Sequence, residues 1–253
     1  MLGPEDRIVR GRGIVMMDVA GRAVLERRYL GVRDRMPQGL ALRVHRALSW
    51  LGRAERERED PDARFIFLWI ALNAAYAQVL PDTFRLAETR LLYRFLERLQ
   101  RHDRERLLYG IVWDEFSGPI RLLLENPYVF RPFWDWQRGR ITQGEWERRF
   151  RRSRAAALRA LGRMDTTRVL MEIFERLYVL RNQLFHGNAT WNGRRNREPI
   201  EQGAQVLGRL VPAILSILLE CRGQGWGEAR YPPVIAVREA PAQGRARCVP
   251  QGP

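Results

Sequence analysis

Three side chains near the end of a long amphipathic stretch have types and spacing suited to work on a phosphate ester. They are Arg181, Asn182 and His186, in the run RNQLFHG. Upstream the apolar repeat reads Leu170, Ile173, Phe174 and Leu177, then resumes at Leu184, and Arg181 stands where that repeat asks for a leucine. An unpaired guanidinium is expensive to bury, so Arg181 must meet a carboxylate, an anion or a wet cleft. On a helix Asn182 and His186 lie within about 40° of one another around the axis. Arg181 and His186 differ by about 140°, a gap that the long arginine side chain can close. The three can thus line one polar notch at a helix end, where an imidazole can accept a proton in one step and return it in another. Requiring asparagine directly after the arginine lowers the chance expectation for this spacing to roughly 0.01 matches, so the triplet is informative where R-x-x-x-x-H alone is not.

Composition removes many other chemistries. The chain has 253 residues and a net charge of +15, which favours an anionic partner such as nucleic acid. All 44 basic residues are arginine. Without lysine there is no P-loop, no kinase active site and no Schiff-base enzyme. The four serines fall in no G-x-S-x-G elbow and there is no H-E-x-x-H, so serine-hydrolase and zincin readings drop out. Cys221 and Cys248 are too few for a zinc ribbon or a disulfide framework. Neither a metal nor a cofactor is therefore expected. The apolar runs read as too short to span a bilayer and no signal-peptide core opens the chain, so the expected setting is a cytoplasm.

The elements that would hold the triplet are helices. After Pro37 a stripe of Leu40, Val44, Ala47, Leu48 and Leu51 predicts one helix. The segment from Arg64 to Ala77, RFIFLWIALNAAYA, is apolar all the way round apart from Asn73, which predicts a helix at the centre of the fold. A third helix is expected within 82 to 100 and a short one through RLLYGIVWDEF, ended by Ser117, Gly118 and Pro119. The segment 126–139, two prolines among aromatic residues, reads as an ordered insertion packed on the bundle. Thr142 and Glu145 form a capping box for an arginine-rich helix to Gly162, with arginines on several faces. Asp165, Thr166 or Thr167 can cap the helix that carries the triplet, with Gly187 beyond its end, and a last helix runs from about Pro199 to Cys221. The expected architecture is all-α: an arginine-rich extension over 1–36, an up-and-down helical bundle over 37–222 with its insertion and basic helix at 126–162, and a flexible tail over 223–253.

The loop after the triplet, NATWNGRRNREP, is a candidate RNA contact. Arg194, Arg195 and Arg197 can hold phosphates and Trp191 offers a stacking face, the alternative being a solvated loop with a packing tryptophan.

RNQLFHG resembles the R-x(4 to 6)-H motif of the HEPN superfamily (higher eukaryotes and prokaryotes nucleotide-binding), in which a polar residue often follows the arginine. FIFLWIALNAAY, Phe65 to Tyr76, is similar to an inner helix of stand-alone bacterial members. The resemblance covers residues 38 to 221 and gives less guidance over 126–162. It implies a HEPN-like bundle that pairs as a homodimer through the motif helix and forms a metal-independent endoribonuclease site. In that site Arg181 and His186 would be catalytic and Asn182 would orient substrate or the histidine. It also implies a toxin or defence role under an inhibitory partner protein. Two other functions stay open: a non-catalytic RNA- or partner-binding module, and a DNA-binding protein, for which no reading motif is evident.

Overall fold

The computed structural model describes residues 20–76, 85–115, 117–194, 196–221, 226, 227 and 229. The apolar run GIVMMDVAG, the tail beyond residue 229, Arg195 and Cys248 lie wholly or mostly outside these. Ten α-helices carry the described chain, and no sheet occurs among the described residues. They are α1 (Arg22–Val32), α2 (Gln38–Ala54), α3 (Pro61–Tyr76), α4 (Arg85–His102), α5 (Leu107–Gly110), α6 (Ser117–Glu125), α7 (Arg131–Gln137), α8 (Gln143–Gly162), α9 (Thr166–Phe185) and α10 (Arg197–Glu220). The fold is all-α, as its periodicities predict.

Helix α2 forms from the expected stripe, whose five members are all buried. It packs along α3, which in turn lies against α10. That second contact is close because of a glycine. A Cβ at Gly203 would stand 2.9 Å from Phe65 Cε2 and 3.0 Å from Leu177 Cδ2, so the missing side chain lets α10 approach α3 and α9 together. By length and composition α10 passes as a candidate membrane span, contrary to the expectation that the apolar runs are too short, but 78% of its apolar window is buried against the other helices.

The core reaches beyond the limits that composition suggests. Leu25, Tyr29 and Met36 belong to it, and so does Trp226. Arg28 ties α1 to α10 by donating to the Ser216 hydroxyl at 2.6 Å and pairing with Glu220 at 3.0 Å. Packing therefore does not begin at residue 37 or stop at 222. Ser117, Gly118 and Pro119 also do more than end a helix: they form the first turn of α6, after a π-helical segment at Ile111–Glu115. Glu115 in that segment accepts two hydrogen bonds from Arg209 of α10, at 2.7 and 2.8 Å.

The helix α3 is less enclosed than its composition predicts. Ile66, Ile70 and Asn73, on one stripe, are only half-buried. Helix α9 is more enclosed than one stripe requires. Arg176, on the side away from the leucines, is 1% exposed. Its guanidinium donates to the Ser153 hydroxyl at 2.9 Å and lies 4.4 Å from the centre of the Phe130 ring. The Ser153 hydroxyl donates in turn to Glu172, which Arg168 also holds. Burial lowers the Arg176 pKa from its ordinary value and Glu172 opposes that, but an arginine keeps its charge under such shifts.

Two expectations follow. Gly203→Ala gains about 1 kcal/mol of helix propensity but forces a buried contact costing about 1 to 3 kcal/mol, so urea titration should show a net loss. Arg176→Ala leaves a cavity beside Phe130 and removes the buried positive charge that faces Glu172 and Glu175, and should lower stability by about 3 to 5 kcal/mol, with Arg176→Met costing clearly less.

Candidate functional site

The triplet sits where α9 stops, and the stop is defined by hydrogen bonds. Asp165 caps the other end, accepting from the Arg168 N–H at 3.0 Å. At the C-terminal end Gly187 takes φ +66, its N–H donates to the Leu184 carbonyl at 3.2 Å, and the Asn188 N–H donates to the Gln183 carbonyl at 2.8 Å. These two bonds around a left-handed glycine make a Schellman termination. They place His186 at the last, half-helical position, its own N–H donating to the Asn182 carbonyl at 3.1 Å. The imidazole is exposed and makes no hydrogen bond or ion pair among the described residues.

Arg181 is half-buried and has no carboxylate among the described residues. One guanidinium nitrogen donates to the Asn182 side-chain oxygen at 2.9 Å, while Nε is buried with no acceptor. The cation lies over the Phe185 ring at 4.6 Å and near the Tyr178 ring at 5.9 Å. Cation–π contact of this kind holds a guanidinium without neutralising it, so donors remain available for an anion. Phe185 is 42% exposed, and Tyr178 stacks toward Trp69 of α3 with ring centres 6.1 Å apart. Helices α3 and α9 thus meet through the buried Trp69.

The following loop is fastened to the start of α3. Trp191 is 74% exposed, yet its indole N–H donates to Asp60 at 2.8 Å, so the ring edge is pinned while its faces stay open. Asp60 also caps α3 by accepting from the Ala63 N–H at 3.0 Å. Asp62 accepts from the Asn192 N–H at 3.3 Å and from the guanidinium of Arg197. Gln183 braces the loop from behind, accepting from the Asn196 amide at 3.0 Å and donating to the Tyr128 carbonyl at 3.1 Å.

The structure therefore brings Arg181 and Asn182 together, sets His186 one turn further at the open end, and holds Trp191 on the loop beyond. Arg194 is exposed and has no partner among the described residues. Arg195 lies outside the described residues. Arg197 differs from its expected part: its ion pair with the buried Asp62 makes it an anchor of the loop and not a free phosphate ligand. Asp60, Asp62 and Gln183 escape a sequence reading. The pattern DPD before an apolar run signals a helix start, but nothing in it names a partner more than a hundred residues away. The aromatic insertion is a 3-10 turn at Pro127–Val129 followed by α7, and its rings pack on one another and on Trp146 and Phe150 of α8. Cys221 is buried, and burial pushes its thiol up to about 11, so it is no nucleophile.

Compared with known proteins, the chain matches no family model, curated protein or solved structure.

Burial alone would raise the Asp60 pKa, but hydrogen bonds from Ala63, Trp191 and Asp62, with the Arg197 charge, outweigh it and hold the carboxyl below its ordinary value. A lowered native pKa stabilises the folded state above the unfolded value of about 3.9, and that contribution is lost as pH falls through the native one. In an acid titration followed by NMR, the Trp191 indole N–H should keep its hydrogen-bonded shift through the ordinary carboxylate range and lose it only as pH falls through the lowered native pKa of Asp60, and Asp60→Asn should abolish the pH dependence.

Proposed function

We propose that the chain is an endoribonuclease acting as a homodimer through the ends of two α9 helices, needing no metal. One observation carries the reading. Arg181 is a permanent cation with no carboxylate among the described residues, set beside a carboxamide and one turn from an exposed histidine. Phosphate fits the free donors of such a guanidinium by charge and by planar geometry. The resemblance of RNQLFHG to the HEPN motif supports the same assignment.

The dimer has its own support. Ile66, Ile70 and Asn73 leave one stripe of α3 incompletely covered, and the same helix meets Tyr178 of α9 through Trp69, while Phe185 beside Arg181 is exposed. A second copy placed there by a two-fold axis covers both faces at once and brings two histidines to one strand.

The chemistry is in-line transfer. His186 of one copy takes the proton from a ribose 2′-OH as its oxygen attacks phosphorus, the bond to the 5′-oxygen breaks, and the histidine of the other copy protonates that leaving oxygen. Arg181 donates to the phosphoryl oxygens as their charge grows, and Asn182 keeps the guanidinium aligned. The products are a 2′,3′-cyclic phosphate and a 5′-OH. DNA has no attacking hydroxyl.

The test is a labelled RNA and its DNA counterpart incubated in excess EDTA. RNA alone should be cut. His186→Ala should lose roughly a hundred to ten-thousand-fold in rate with the melting curve unchanged, since the ring is exposed and touches nothing. Ile70→Arg should yield monomers by sedimentation and lose cutting with His186 intact. RNA bound by a dimer but left whole would make this a binding module.

A further inference from the structure

Helix α8 carries two kinds of arginine. Arg149 and Arg151 pair with Glu145 and Glu147 one turn before them, and Arg154 pairs with Glu125 of α6. Arg148, Arg152, Arg159 and Arg163 are exposed, and none makes a hydrogen bond, ion pair or ring contact through its side chain among the described residues. Helical geometry puts these four within about 60° of one another. Trp146, Phe150, Ser153, Ala157 and Ala160 face the bundle from the opposite side. The result is a straight row of guanidinia about 22 Å long.

Helix stability does not account for the row. Arg148 and Arg152, and likewise Arg159 and Arg163, are like charges four residues apart, a spacing that destabilises a helix. Arg159 and Arg163 gain from the negative helix end; Arg148 and Arg152 do not. Of the acidic residues of α8, Glu145 stands at the edge of the row but turns to Arg149, and Glu147 turns to Arg151.

We infer that this row is the track for the backbone of a single-stranded RNA, one phosphate to each arginine. The charge complement fits, and so does the direction. The α8–α9 hairpin is antiparallel, with Ser153 beside Glu172 and Arg176. Trp146 near the start of α8 connects through Phe133 and Tyr128 to Gln183 near the end of α9. A strand laid from Arg163 toward Arg148 therefore runs to the end of the molecule that holds His186. The choice of RNA over DNA rests on the cleavage reaction proposed above; the phosphate contact does not.

The experiment is fluorescence anisotropy of a labelled single-stranded RNA with the full chain bearing His186→Ala, in EDTA, over a series of salt concentrations. One variant replaces Arg148, Arg152, Arg159 and Arg163 by glutamine, and a control replaces Arg149, Arg151 and Arg154. Each phosphate contact contributes about 0.7 to the salt slope for a single strand, so the row variant should lose about 3 from the slope and about two to three orders of magnitude in affinity at 0.1 M salt. The control should keep the slope, and both variants should melt with their parent. Equal loss in both variants would reduce the row to bulk charge and overturn the inference. So would unchanged binding, or row-dependent binding of polyglutamate in preference to RNA, which marks an acidic protein as the occupant. Row-dependent RNA binding by a chain whose unmutated form cuts nothing would sink the cleavage reading and leave this one standing.

Discussion

A guanidinium cannot shed its charge at any pH a protein survives, and in a chain without lysine every basic side chain is one. Folding must therefore place each of them by supplying acceptors, aromatic faces or water. Arg176 receives the fullest treatment, with a hydroxyl, a carbonyl and a ring around it. Arg197 is neutralised by a buried aspartate. Arg181 is carried by aromatic rings and one amide oxygen, which immobilise it and leave part of its hydrogen-bonding capacity open. The row on α8 is left to solvent. This gradation, from enclosed to open, separates arginines that hold the fold from those with a valence to spare.

The same gradation explains which parts of the structure were legible in the sequence. Helices α2, α8, α9 and α10 begin and end near their signals, because caps and periodicity are local. Even so, only half of the capping box at α8 forms: Thr142 accepts from the Glu145 N–H at 3.3 Å, while the Glu145 carboxylate turns forward to Arg149. The location of the triplet at a glycine-capped helix end was legible for the same reason. Degree of burial was not. A single-stripe reading of α9 singles out Arg181 and passes over Arg176, because it assumes one buried side where packing by α6 and α8 supplies a second. The reading of α3 errs the other way, since uniform apolarity does not say whether the last face is covered by this chain or by another.

The loop beyond the triplet shows the limit most clearly. Its composition suggested three arginines able to hold phosphates and a tryptophan with a stacking face. Long-range pairs to Asp60 and Asp62 turn Arg197 into an anchor and fix the edge of Trp191, and those pairs depend on α10 bringing the loop back over the start of α3. Local sequence holds no record of that return. It arises from the close approach at Gly203 and the packing of α3 against α10.

The pinned edge of Trp191 has a bearing on how ligands would be received. With its N–H held by Asp60 and its neighbours tied to Asp62 and Gln183, the indole presents its faces in a fixed attitude before anything arrives. A planar guest stacking there would find the platform already ordered and would forfeit little conformational freedom in forming the contact. Such a surface selects by shape and orientation at first encounter, where a slack loop would have to be organised by the guest itself.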